Sequence, residues 1–144
     1  MTVMNDLFKK LNFKDQKVLH ILHAPESFQP AMQEMSAFTT IKTELSTQEA
    51  ATFALAFVTR QSEIDALTPL FLNALEGDGM IWFAYPKGTS KQYKCDFNRD
   101  TGWAILRQNG WESVRMVAID GDWSALRFRK VAHIKMMKRG KAGD

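Results

Sequence analysis

The chain has 144 residues, of which 45% are hydrophobic and 24% are charged, and its formal net charge is +3. This composition indicates one globular domain and excludes a disordered chain. The only cysteine is Cys95, so an internal disulfide and a cysteine-rich zinc module are also excluded. No apolar run approaches the roughly 18 residues of a transmembrane helix, and residues 1–10 lack a signal-peptide pattern. A cytoplasmic protein with no membrane contact is therefore expected.

The positive charge is concentrated at the C-terminal end. Residues 127–144 hold seven Lys or Arg and one acid, Asp144, so they carry +6 and residues 1–126 carry −3. Such a basic segment attracts nucleic acid without reading its sequence, although terminal charges are more commonly only solvated. We expect residues 1–130 to form one α/β domain and residues 131–144 to form a disordered or loosely packed basic tail.

Helix and strand patterns alternate through the first part of the chain. Residues 5–11 carry apolar side chains at helical spacing, with Asn5 as a cap, and predict a short helix. Val18–Leu22 is a nearly continuous apolar run, which is typical of a strand buried on both faces. Residues 29–38 predict a second helix, and the β-branched residues 39–45 predict a strand.

The same alternation continues in the middle of the chain. Residues 46–49 fit a capping box for one or two helical turns, and residues 53–58 predict a second buried strand. A helix then starts at the cap Ser62. Pro69 lies inside this helix, so it either kinks the helix or restarts it.

The last part of the chain predicts a turn, a third buried strand, a helix and a hairpin. The turn comprises residues 77–79 and the strand residues 80–85. Residues 96–108 predict the helix. Residues 113–119 and 123–129 alternate apolar and polar side chains on either side of a short loop, which predicts an antiparallel hairpin.

Together these elements predict a single Rossmann-like α/β domain of three layers. Strands that alternate with helices form right-handed βαβ units and a mainly parallel sheet. We expect Val18–Leu22 and residues 53–58 and 80–85 to be adjacent parallel strands at its centre. This order of elements resembles the methyltransferase variant of the fold, which also ends in an antiparallel hairpin. With one strand missing, the resemblance implies the sheet order 2-1-3-4-6-5.

One segment also resembles a small bacterial family of domains of unknown function. The signature G-x-[IL]-W-x-x-x-P-K of that family is matched by Gly79, Ile81, Trp82, Pro86 and Lys87. The similarity extends in element order over about residues 7–130 and includes a last strand that contains Trp123. It implies a Rossmann-like cytoplasmic protein, and it implies no particular activity.

The motifs of common cofactor chemistry are missing from the sequence. A dinucleotide or S-adenosylmethionine loop needs glycines after the first strand, because the backbone must turn tightly against the ligand. Residues 23–27 contain none, and the chain has neither G-x-G-x-x-G nor a P-loop motif. The histidines are scattered, and one cysteine cannot complete a zinc site. The sequence therefore assigns no cofactor and no metal, and it disfavours an enzyme.

Four residues that follow predicted strands form the candidate binding site. Ligands of open α/β sheets bind beyond the carboxyl ends of the strands, where His23, Glu26, Arg60 and Lys87 are expected. Lys87 is the expected main contact for an anion, and His23 is suited to acid or base chemistry near neutral pH. The competing interpretation is that these are ordinary polar residues of loops.

The sequence thus favours a binding module for a small anionic ligand or a protein partner, with no catalytic motif. The alternative is a transferase related to methyltransferases, with an altered cofactor loop. A weaker alternative is nucleic-acid contact through the basic tail. A deep pocket beside His23 and Lys87 would favour the enzyme. The sequence leaves the ligand unnamed and a homodimer open.

Overall fold

A computed structural model describes residues 6–14, 16–45, 50–97 and 102–132 of the chain. Short helices and a 3-10 turn connect the six strands of one sheet in this part of the molecule. In chain order the elements are α1 (Asp6–Lys10), β1 (Val18–Leu22), a 3-10 turn (Glu26–Phe28), α2 (Gln29–Met35), β2 (Thr40–Lys42), β3 (Ala51–Phe57), α3 (Gln61–Ala74), β4 (Leu75–Pro86), α4 (Ala104–Gln108), β5 (Trp111–Ala118) and β6 (Trp123–Lys130).

The sheet has the predicted topology. Its order is β2-β1-β3-β4-β6-β5, and β1 pairs in parallel with both β2 and β3. β4 continues the parallel set beside β3, whereas β6 is antiparallel to both β4 and β5. The prediction of three adjacent parallel central strands followed by an antiparallel hairpin is confirmed. The Rossmann-like α/β fold is confirmed with it.

Two hydrophobic cores lie on the opposite faces of the sheet. On one face, apolar side chains of α3 and α4 pack against Phe83, Leu126 and Phe128. On the other face, α1 and α2 pack against Leu55 and Trp82. Successive strand residues point to opposite faces, so β3 and β4 need apolar side chains at nearly every position. This requirement explains the continuous apolar runs of the central strands.

The predicted helix over residues 96–108 is wrong in its first part. Helix α4 begins only at Ala104, and Asp96 lies in a bend. The Asp96 carboxylate accepts a hydrogen bond from the backbone N–H of Gln61 at 2.7 Å, and the Asp96 N–H donates to the carbonyl of Thr59 at 3.2 Å. Asp96 therefore satisfies an exposed N–H in the first turn of α3 and does not start a helix of its own.

The predicted turn at residues 77–79 lies within strand β4. Ala51 pairs with Leu75 and Phe53 pairs with Met80, so β4 advances five residues while β3 advances two. The ladder is therefore irregular between these two pairs, and the strand assignment continues from Leu75 to Pro86.

Helix α3 passes through its proline without a restart. It runs from Gln61 to Ala74 with Pro69 inside it. The Thr68 hydroxyl donates to the carbonyl of Ile64 at 2.7 Å, as a threonine in a helix interior does, so Thr68 is not the cap of a second helix.

Some predictions fall outside the described residues. These are the Asn5 cap, the short helix at residues 46–49, and all but the first two residues of the basic tail, 131–144. Among the described helices, none has the length and apolar character needed to cross a bilayer.

Candidate functional site

The carboxyl ends of the central parallel strands define one edge of the sheet. After β1 the chain crosses to β2 on one side, whereas β3 lies on the other side of β1. The connections that leave β1 and β3 therefore diverge, and ligands of such sheets bind between the two strand ends, a region that we call the crevice. The loop after β4 continues the same edge. His23 and Lys87 follow β1 and β4 directly, Arg60 comes three residues after β3, and Glu26 begins the 3-10 turn.

His23 occupies the first position after β1 in an uncommon backbone conformation. Its φ is 59°, in the left-handed region that glycine adopts most readily. The His23 side chain is about half exposed, and its Nδ1 lies 3.8 Å from Oε2 of Glu63. A strained histidine facing a carboxylate at a strand end is a recognised signal of a functional site.

Glu63 is the residue at this crevice that the sequence interpretation missed. Its Oε1 accepts hydrogen bonds from the backbone N–H of Thr59 at 2.8 Å and from that of Arg60 at 3.0 Å. These bonds hold one carboxylate oxygen against the start of α3, while the other faces His23. The sequence interpretation placed the cap of this helix at Ser62 and assigned no role to Glu63, whereas the structure has Arg60 as the N-cap and Glu63 at the third helical position. The available signal was a carboxylate in the first turn of a helix that follows a strand end.

Arg60 and Glu26 both lie at exposed positions where a helical segment begins. Arg60 is the N-cap of α3, and Glu26 is the first residue of the 3-10 turn. The structure therefore brings His23 to Glu63, and it does not bring all four predicted residues into one cavity.

Lys87 lies on a cleft beyond the end of β4. We name it the β4 cleft; it has a volume of about 450 Å³, within the usual range for small-molecule sites. Its walls are formed by Tyr85, Pro86, Lys87, Gly88, Ser90, Tyr93, Lys94, Cys95 and Phe97. Among the described residues, its lining includes no carboxylate, and His23, Glu26 and Arg60 do not contribute to it.

Hydrogen bonds brace the loop that forms this cleft. The buried Ser90 hydroxyl donates to Oδ1 of Asp122 at 2.9 Å and accepts from the N–H of Tyr93 at 3.1 Å. The backbone N–H of Lys87 donates to the carbonyl of Asp122 at 2.8 Å. The loop after β4 is thereby tied to the turn between β5 and β6, and the cleft is preformed.

Buried aromatic rings support the cleft walls from behind. Tyr85 and Phe97 both contact Trp103, with ring centroids 5.6 and 5.4 Å apart. Tyr93 contacts Trp123 at 4.8 Å. Trp103 is 1% and Trp123 is 3% exposed, so both indoles belong to the core and act on the site only through the rings they support.

The described residues contain no group of three or more His, Cys, Asp or Glu side chains that could hold a metal ion. The Cys95 thiol lies in the cleft wall and donates to the carbonyl of Phe97 at 3.1 Å. The chemistry available at this edge is therefore that of a histidine–carboxylate pair and of lysines beside aromatic rings.

Solved structures that match this chain include methyltransferases. A putative type 11 methyltransferase from Sulfolobus solfataricus matches with a TM-score of 0.53 and 8% identity, over 87% of this chain and 90% of that one. A SAM-dependent methyltransferase from Aquifex aeolicus matches with a TM-score of 0.53 and 12% identity, over 89% and 91%. At these identities the similarity establishes the fold. No protein-family model and no curated protein matches the sequence.

The chain is shorter than many structures that it matches. It spans 53% of the pyocyanin biosynthetic protein PhzM, with a TM-score of 0.52, 11% identity and 87% of this chain covered. The chain thus spans about half the length of the first structures matched, whereas the two methyltransferases above are matched almost from end to end.

These comparisons correct the functional prediction from sequence. The main interpretation, a binding module with no catalytic role, and the leaning against an enzyme are contradicted, because the two structures matched almost from end to end are methyltransferases. The interpretation kept as the alternative, a methyltransferase-related protein, is better supported. The prediction was wrong because it depended on the missing glycine turn, whereas the strand order is the one that the methyltransferase resemblance implies.

Proposed function

We propose that this chain is a methyltransferase-related transferase with an altered first cofactor loop. The observation that carries the proposal is the end-to-end match with two methyltransferases, which extends over 90% and 91% of their chains. This chain has a mixed sheet with a C-terminal antiparallel hairpin.

The turn after β1 does not fit a cofactor seated on bare backbone. Its first residue, His23, has the left-handed conformation of a glycine turn, but it carries a side chain. Ala24 and Pro25 follow, and Pro25 has no N–H to donate. The N–H of Phe28 donates to the carbonyl of Pro25 at 2.9 Å, so a further donor is already used. We therefore assign no methyl-transfer step to this turn.

In the proposed transferase, side chains replace the glycine turn as the contacts for the group donor. Glu63 is held by backbone N–H groups, so its second carboxylate oxygen keeps a fixed position in the crevice between β1 and β3. His23 faces that oxygen at 3.8 Å. A polar group of the donor that enters the crevice meets an imidazole and a carboxylate that are already oriented.

An anionic group is the further ligand feature that we propose. Lys87 lines the β4 cleft, and no carboxylate of the described residues forms an ion pair with it. Its ammonium group can thus bind a carboxylate or phosphate of a small molecule. His23, Glu26 and Arg60 remain proposed contacts along the same edge of the sheet, outside the cleft itself.

Calorimetric titration of the full chain with S-adenosylhomocysteine tests the transferase proposal. We expect saturable binding, and we expect Glu63→Gln to weaken it about tenfold, because that change removes the charge beside His23 and keeps an acceptor for the backbone N–H groups. Glu112→Gln is the matched control, since Glu112 lies on the edge strand β5 and pairs with Arg107. The absence of saturable binding at millimolar ligand, or equal losses in the two variants, contradicts the proposal.

A further inference from the structure

The β4 cleft combines aromatic walls with lysine side chains. Tyr93 is half-buried, and the rings of Tyr85 and Phe97 complete the apolar part of the lining. Lys87 and Lys94 provide two ammonium groups in the same lining. The described residues place no acidic side chain there to neutralise them.

The geometry points to a flat aromatic molecule with one anionic group as the ligand of the β4 cleft. This inference rests on the proposed function, since it names the class of acceptor substrate for the transferase. Tyrosine and phenylalanine rings favour a planar partner through offset or edge-to-face contacts. An ammonium group beside such a surface favours a carboxylate or phosphate on that partner. A neutral apolar molecule would form no ion pair with either lysine.

The rigidity of the cleft supports a binding role. Tyr93 is fixed by its contact with Trp123 and by the hydrogen bond from its N–H to Ser90. Phe97 and Tyr85 are fixed by Trp103. A site whose walls are already in position loses little conformational entropy on binding, so a small ligand can bind through few contacts.

The two lysines of the β4 cleft lie in a part of the sequence that has a negative net charge. Residues 1–126 carry −3 in total, since the basic excess of the sequence lies in residues 127–144. Two lysines that line one cleft in an otherwise acidic body create a local positive potential. An aromatic anion is attracted to that potential, and an aromatic cation is repelled.

Titration of the full chain with 2-naphthoate tests this inference. The comparison ligands are 2-naphthalenemethanol, which has the ring without the charge, and decahydro-2-naphthoate, which has the charge without the aromatic ring. We expect 2-naphthoate to bind with backbone amide shifts centred on residues 85–97. We expect the alcohol to bind on the order of tenfold more weakly, and the saturated acid several-fold more weakly.

Variants of the loop lysines locate the anion contact. Lys87→Gln is expected to weaken 2-naphthoate binding on the order of tenfold and to leave binding of the alcohol unchanged. Lys91→Gln is the matched control, because Lys91 belongs to the same loop but is exposed and does not line the cleft. Equal effects of the two variants, amide shifts elsewhere, or equal affinity for acid and alcohol would overturn the assignment.

The two proposals can fail separately. Binding of 2-naphthoate in the cleft without binding of S-adenosylhomocysteine supports the cleft assignment and removes the transferase proposal. Binding of S-adenosylhomocysteine without binding of 2-naphthoate supports the transferase and overturns the aromatic-anion assignment.

Discussion

The left-handed backbone of His23 concentrates strain at the end of β1. At a residue other than glycine, this conformation lowers the stability of the folded state by roughly 1–2 kcal/mol. Asn12, with φ of 67°, is the other described non-glycine residue in the left-handed region, and the short polar side chain of asparagine can hydrogen-bond locally there. The strain at the mouth of the crevice is thus larger than that at the end of α1.

We predict that His23→Gly raises the free energy of unfolding by about 0.5–1 kcal/mol. Removing the strain contributes more than the added flexibility of glycine in the unfolded chain costs. His23→Ala is the control, because it removes the imidazole and retains the strain. Urea denaturation measures both variants. A loss of stability in His23→Gly equal to that in His23→Ala would show that the backbone is not strained.

Trp82 is the residue on which the central sheet depends most. It is fully buried in β4, and its indole N–H has no hydrogen-bond partner among the described residues. Trp82→Ala should cost about 3–5 kcal/mol, as a large cavity in a core does. Trp82→Phe should cost clearly less, since it fills most of the space and leaves no unpaired donor. Thermal denaturation tests this order, and an unchanged midpoint for Trp82→Ala contradicts it.

At the scale of elements, the hairpin of β5 and β6 depends on one aspartate. Asp120 Oδ1 accepts hydrogen bonds from the N–H of Asp122 at 2.8 Å and from that of Trp123 at 2.9 Å. The same turn supports the β4 cleft, because the Asp122 side chain binds Ser90. The turn therefore links the stability of the hairpin to the shape of the site.

We predict that Asp120→Ala lowers the free energy of unfolding by about 1–2 kcal/mol, because it leaves two turn N–H groups without their acceptor. Asp120→Asn keeps a side-chain oxygen and should lose less than half of that. Chemical denaturation of both variants tests the prediction. A similar loss in the two variants would assign the effect to charge, and would contradict the hydrogen-bond account.

Sequence patterns predicted the central strands because a short continuous apolar run is typical of a strand that is covered on both faces of the sheet. They failed where a polar side chain binds a partner that is distant in the chain. Asp96 was interpreted as the start of a helix, yet it binds the N–H of Gln61, 35 residues away. Glu63 was given no role of its own, yet it faces His23. Partners that are distant in the chain carry no local signal, so these residues had to be seen in the fold.

The β4 cleft was only partly predictable for the same reason. Lys87 was expected at the carboxyl ends of the strands because topology alone places it there. The aromatic walls were not expected, since they depend on Trp103 and Trp123, which reach the loop from two other elements. Arg60 and His23 were grouped with Lys87 on strand order, but the cleft lies beyond β4 and does not reach either of them.

At the scale of the whole molecule, one edge of the sheet combines the features of a binding site. The crevice beside His23 and Glu63 lies at the ends of β1 and β3, and the β4 cleft lies at the end of the next strand. The edge strand β5 contributes no residue to that cleft. The proposed donor and acceptor are therefore assigned to neighbouring positions on one edge.

The most direct test of that assignment is an amide chemical-shift map of the full chain titrated with S-adenosylhomocysteine. If the chain is the proposed transferase, we expect saturable amide shifts in residues 22–28 and 58–63, smaller shifts in residues 85–97 and none along β5. Saturable shifts confined to β5 or to the basic residues after 130, or no saturable shift at all, would contradict a methyltransferase-related transferase whose ligands bind at the carboxyl ends of the strands.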